Sequence, residues 1–419
     1  MLNSNTTIRH AGSLKALFAS GAFNRTIGWS MLIVGMGLMA LYEPWIFSLT
    51  DTWSLEMNEV LQLRHWQGVL LTMGLLQLAV GYILTKEVFA VNFRVVASVL
   101  TGLGSIAYAG GHVAIFLLAF GESFVFIGSL FNLIAFALAS QMEIGGSEAK
   151  QIRILLYVLS MGMALDLVSG LVMLYPDIFQ PEWLGGQSGV RLRMLRLARV
   201  AAIALPVLTL LFFDLTYRLK IKTRLAKWGN WCLIGGAVLM PLTLAVSCFT
   251  LISLKYFLVV PATAVCLGTW VGCHIVFRYG SLLERFGWIV IALSLLMGML
   301  MGMYAFDGPL PVPSGIDNYQ DLTRRLMRIG HATAIMYGML ALFFAERRLL
   351  RTTWSRINQC GMWIFCGGVV AAISLLTAFA IFELAVWCLA IGPAMICVGM
   401  ILIELGGPSR IPATDNAQL

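Results

Sequence analysis

The chain has 419 residues, of which 59% are apolar and 11% charged, with a formal net charge of +8. Soluble domains are roughly 25% charged, so a water-soluble globule is excluded and the chain reads as a polytopic membrane protein. The positive balance sorts by loop as membrane topology requires, and no nucleic-acid partner is expected.

A basic leader, residues 1–27 with Arg9, Lys15 and Arg25, precedes the first apolar run and is expected in the cytoplasm. That run is too long for a signal peptide and lacks a small-residue cleavage site, so it is read as an uncleaved first helix. Runs near the roughly 20 residues that cross a bilayer as helix fall at 28–49, 65–85, 95–119, 122–141, 152–174, 193–215, 229–251, 256–277, 287–305, 326–345, 360–382 and 385–405. The ten-residue alternating strands of an outer-membrane barrel are absent, which leaves helices to satisfy the backbone in lipid. The expectation is an all-α protein of twelve transmembrane helices with both termini cytoplasmic, because Arg218, Lys220, Lys222, Arg224 and Lys227 share one loop and Arg347, Arg348, Arg351 and Arg356 another.

The second run opens in "LQLRHWQGVLLTMGLLQLAVGYILTKE", which carries His65. The sixth opens in "RLRMLRLARVAAIALPVLTLLFFDLTYR", and the tenth in "RRLMRIGHATAIMYGMLALFFAERR". Aligning the last two places Arg193 on Arg325, Arg196 on Arg328, Arg199 on His331 and Asp214 on Glu346; His65 falls on the line of Arg199 and His331. The preceding outer loops, "LYEPWIF", "LYPDIFQPEW" and "MYAFDGPLPVP", repeat in step. The chain is therefore expected to hold three pseudo-symmetric four-helix units, 28–142, 143–278 and 279–405, followed by a cytoplasmic tail, 406–419.

Arginines inside the first turns of a membrane helix are costly, and the positive end of the helix dipole repels them further. Something negative belongs near Arg193, Arg196, Arg199, Arg325 and Arg328. The candidates are the loop acids Asp177, Glu182, Asp317 and Asp321, lipid phosphates, haem propionates or an anionic substrate. Asp166, in "MGMALDLVSG", is the one carboxylate near mid-membrane. It pairs with an arginine such as Arg199, is protonated, or serves a proton or cation path.

Of five histidines, His65 and His331 occupy equivalent repeat positions. Two neutral imidazoles facing one another would hold the iron of a low-spin haem b, with Arg199 and Arg328 beside its propionates. His112, in "YAGGHVAIF", is an alternative ligand or a packing histidine. All eight cysteines lie in or beside apolar runs of the second half and read as buried thiols.

Twelve helices in three four-helix arcs with histidines on the second and tenth resembles the catalytic subunit of haem-copper oxidases. In that family these two helices hold the low-spin haem, the sixth carries a copper-ligating histidine, the seventh a His-His pair and the tenth a His-x-His. Here the sixth run reads "LARVAAIALP", the seventh ends in "CFTLISLKY", and the tenth reads "GHATA" with Thr333 at the second histidine position. The resemblance thus implies a divergent member without the copper centre, carrying over only His65 and His331. No motif of an independent enzyme is present. The expected role is that of a bacterial inner-membrane protein for electron transfer, sensing, or membership of a membrane complex. The alternatives are a transporter of an anionic or amphipathic solute, with the outer arginines as the capture site, and a structural membrane scaffold. The lipid bilayer is a partner in every case.

Overall fold

The computed structural model describes residues 14–48, 57–85, 89–117, 121–144, 149–174, 189–304, 310–312, 322–349, 355–379 and 388–405. Among them the secondary structure is helical throughout. In chain order the helices are α1 (Leu14–Ala19), α2 (Ala22–Ser48), α3 (Met57–Thr85), α4 (Val91–Leu117), α5 (Gly121–Gln141), α6 (Ala149–Leu174), α7 (Val190–Arg218), α8 (Arg224–Phe249), α9 (Val259–Tyr279), α10 (Leu282–Gly302), α11 (Leu322–Leu349), α12 (Arg356–Phe379) and α13 (Ile391–Leu405). A 3₁₀ segment, Ile252–Leu258, leads into α9. Each of the twelve apolar runs overlaps a helix among the described residues. Nine helices among the described residues, α3 to α10 and α12, are long and apolar enough to cross a membrane. The protein is a multi-pass membrane protein by that measure.

The chain divides into two compact units. One consists of residues up to Leu32, Gly68–Ile275 and Leu295–Gly315; the other of Ile33–Gln67, Val276–Ser294 and Ile316 onward. Within the first, α4 packs on α5, α5 on α6, α6 on α7 and α7 on α8. Within the second, α12 packs on both α11 and α13, and the rings of Phe344 and Phe365 meet edge to face at 5.2 Å.

In lipid there is little hydrophobic drive between helices, so close approach of small residues and interhelical hydrogen bonds take its place. Both occur where α2 meets α3. A methyl at Gly28 would lie 2.8 Å from the Gly74 carbonyl oxygen, and one at Gly21, whose φ is +67°, 2.5 Å from that of Gly81. Between these contacts sits an uncharged polar cluster, with Asn24, Gln77, Ser98, Thr101 and Ser105 all buried. Asn24 Nδ2 donates to Gln77 Oε1 (2.7 Å) and Thr101 Oγ1 (2.9 Å), while Gln77 Nε2 donates to the Thr101 carbonyl (2.9 Å) and Ser105 Oγ (2.7 Å). Ser98 Oγ donates to Asn24 Oδ1. Ser98, Thr101 and Ser105 share one face of α4 at spacings of three and four. The cluster therefore sets the axial register of three helices. Asn24→Leu strands Gln77 Oε1 and Ser98 Oγ, at about 1–3 kcal/mol for each group left unsatisfied. It should lower thermal stability in detergent well beyond Leu103→Ala, a change at a residue 47% exposed that should stay within about 0.5 kcal/mol.

Glycine contacts and helix caps recur at a regular interval along the chain. Gly104, Gly236 and Gly368 are each 132 residues apart. A methyl on the first would lie 3.0 Å from the Gly128 oxygen, on the second 3.3 Å from the Pro261 oxygen, and on the third 3.0 Å from the Gly392 oxygen. The partners are spaced 133 and 131 residues apart. Thr223 caps the N-terminus of α8 by accepting from the Ala226 amide, and Ser355, 132 residues later, accepts from the Asn358 amide at the start of α12.

Arginines and polar residues also close helix ends. Arg94 Nη1 donates to the carbonyls of Ala19 and Leu84, the last turns of α1 and α3. Arg191 Nη1 donates to the Cys248 carbonyl at the end of α8 (2.6 Å). Each places a cation where the helix dipole is negative. At the other end of α7, Asp214 Oδ1 accepts from Tyr82 of α3 (2.8 Å) and Oδ2 from Arg218 Nε (3.0 Å). Ser281 and Glu284 form a reciprocal capping box at the start of α10.

Candidate functional site

A buried ion pair lies where α4, α5, α6 and α7 stand side by side. Asp166 is 5% exposed and Arg199 15%, and Arg199 Nη1 lies 3.0 Å from Asp166 Oδ1. Tyr108 donates its hydroxyl to the same oxygen at 3.0 Å, and Ser129 Oγ donates to Oδ2 at 2.9 Å. The carboxylate thus has three donors, one of them cationic.

Axial level explains the convergence. Asp166 and Ser129 lie eight residues from the ends of their helices at Leu174 and Gly121; Tyr108 and Arg199 lie nine from Leu117 and Val190. At 1.5 Å per residue all four sit about 12–14 Å from the same end of the bundle. Closer to that end stand His112, whose ring meets that of Tyr108 edge-on at 4.9 Å, and Arg193 and Arg196, both half-buried and engaged in interactions of their own. Two neighbouring buried polar atoms, Ser169 Oγ one turn along α6 and Asn132 Oδ1 one turn along α5, have no hydrogen-bond partner among the described residues.

Of the alternatives the sequence left open for Asp166, pairing with Arg199 is the arrangement observed. The counter-charge of Arg199 thus comes from α6. The loop acids Asp177, Glu182, Asp317 and Asp321 lie outside the described residues, as does the side chain of Arg325. Arg328 is half-buried and has an interaction of its own.

His331 stands on α11 against α10. Its Nδ1 lies 2.7 Å from the Ser294 carbonyl oxygen, and Ser294 Oγ donates to the His331 carbonyl at 2.7 Å. Because a carbonyl only accepts, Nδ1 carries the proton, which in a neutral ring leaves Nε2 its lone pair. His65 falls on α3, with its side chain outside the described residues. The equivalent positions Arg199 and His331, 132 residues apart, are thus each tied by hydrogen bonds to the helix before them, by Asp166 and by Ser294.

Tyr108, Ser129 and Ser294 were not singled out in sequence. The only signal they offered was polarity inside an apolar run, shared with many helix-packing serines and tyrosines. Among the described residues no three of His, Cys, Asp and Glu converge as a metal ion would need, a condition that two-histidine haem ligation does not require. No protein-family model matches the chain, and no curated protein matches it.

Proposed function

We propose that the chain is a bacterial inner-membrane protein of twelve helices in three four-helix units, 28–142, 143–278 and 279–405, that holds one low-spin haem b through His331 and His65. The observation that carries the reading is the hydrogen bond from His331 Nδ1 to the Ser294 carbonyl. It fixes the ring's tautomer and orientation and leaves Nε2 available as a ligand, the outer support that metal-bound histidines ordinarily have. Bound between two imidazoles, the haem would supply one-electron chemistry, for transfer to partner subunits in the membrane or for redox sensing. The 132-residue recurrence of glycine contacts, N-caps and polar ties supports the threefold repeat and, with it, the resemblance to the haem-copper oxidase catalytic subunit. The departures at the copper-ligand positions support a member without that centre. The test is the visible spectrum of the detergent-solubilised protein, oxidised and dithionite-reduced.

A second reading, transport of an anionic solute, is favoured by the Asp166–Arg199 pair, since buried ionisable groups in membrane spans mark ion and proton routes by default. Both readings place the two termini in the cytoplasm. Reporter fusions after Lys222 and after Arg351 should then report inside, and fusions within 180–188 or 310–318 outside. The opposite pattern would reverse the orientation and put the arginines at the cytoplasmic face.

A further inference from the structure

Arg199 carries five N–H donors, yet among the described residues only Nη1 has a hydrogen-bond partner, Asp166. Its Nε and Nη2 are unspent, and the guanidinium is the more exposed member of the pair, 15% against 5%. One turn toward the bundle end, the hydroxyl of Ser169 is fully buried and also has no hydrogen-bond partner among the described residues. Donors left unsatisfied at this depth are costly. The edge of a guanidinium that carries two parallel N–H groups matches a planar oxyanion.

We propose that the open edge of Arg199 binds a small planar monoanion, and that Asp166 links its occupancy to the uptake of one proton; this rests on the transport reading. Asp166 and the anion compete for the same positive charge. A proton arriving on Asp166 neutralises the carboxylate, removes the competitor and leaves Arg199 to the anion, so proton and anion are held together with no net change of charge. The ionisable groups facing Asp166 are Tyr108 and His112 from α4 and Arg199 from α7, with Arg196 one turn nearer the bundle end on α7. The α5 face offers Ser129. Along α8, which also packs on α6, the ionisable groups are Arg224 and Lys227 at the far end and the thiols Cys232 and Cys248.

Nitrate is the probe, because it stays ionised across the range. Its binding to the full-length solubilised protein is measured calorimetrically from pH 5 to pH 8, in buffers of different ionisation enthalpy and at constant ionic strength set with a bulky sulfonate. Affinity should rise as pH falls, toward the tenfold per pH unit that one linked proton allows, with one proton taken up per nitrate. Asp166→Asn, which mimics the protonated acid, should bind at least tenfold more tightly than wild type at pH 8 and show no pH slope. His112→Gln should keep the slope, which separates Asp166 from the nearby imidazole. Asp166→Asn combined with Arg199→Gln should not bind. Nitrate binding with equal affinity at pH 5 and pH 8 and no proton uptake would overturn the linkage while leaving the transport reading in place. No binding by monodisperse wild-type protein would remove both. If Asp166→Asn fails to fold, the wild-type slope and proton count decide alone.

Discussion

Arg199→Ala should be the most destabilising single change in the four-helix cluster, costing about 3–5 kcal/mol because it strands a carboxylate that is 5% exposed. Tyr108 and Ser129 would still donate to Asp166, but two neutral hydroxyls do not replace a cation. The telling comparison is with Asp166→Leu combined with Arg199→Leu. Removing both charges also removes both desolvation costs, and such replacements are often neutral or stabilising. The double variant should recover most of the loss, by thermal unfolding in detergent. If both variants unfold together well below wild type, the pair's contribution lies in packing and the charge argument fails. If neither changes stability, Asp166 and Arg199 are not paired in the folded protein. This outcome bears on function, because a pair that contributes little net stability relative to apolar replacements is retained for something other than holding helices together.

His331→Ala should abolish the sharp reduced b-type band of the purified protein, and His65→Ala should do the same, since each would remove a residue that would hold the haem. Two controls distinguish ligation from general damage. Ser294→Ala leaves the backbone carbonyl that accepts from His331 Nδ1 and should keep the band. Arg328→Ala should also keep it but lower its midpoint potential, because a nearby positive charge favours the more negative, reduced state. A protein that is colourless as purified, and stays so after incubation with haemin, would end the haem reading. Anion transport would then stand as the explanation of the arginines.

Chain composition and pattern were sufficient for the coarse structure. The described parts of the apolar runs are helical because lipid offers the backbone no other partner, and the interval of about 132 residues could be read from the arginines and histidines that open the sixth and tenth runs. The pairings were less legible: Arg199 could be named beforehand as a partner for Asp166, but Tyr108 and Ser129 could not. Asp166 meets Arg199 from 33 residues away, Tyr108 from 58 and Ser129 from 37, and each meeting depends on how a helix is rotated about its axis and how far it is shifted along it. Hydropathy carries little of that information in a membrane protein, because the side of a helix that faces lipid and the side that faces its neighbours are both apolar. Axial shift was decided by contacts visible only after folding: Gly28 against Gly74, Gly104 against Gly128, and the Asn24–Gln77 cluster. The same holds for His331. Its place at the head of the tenth run was plain, but the Ser294 carbonyl that selects its tautomer belongs to the backbone of another helix, and no residue type in the sequence announces which carbonyl a ring will find.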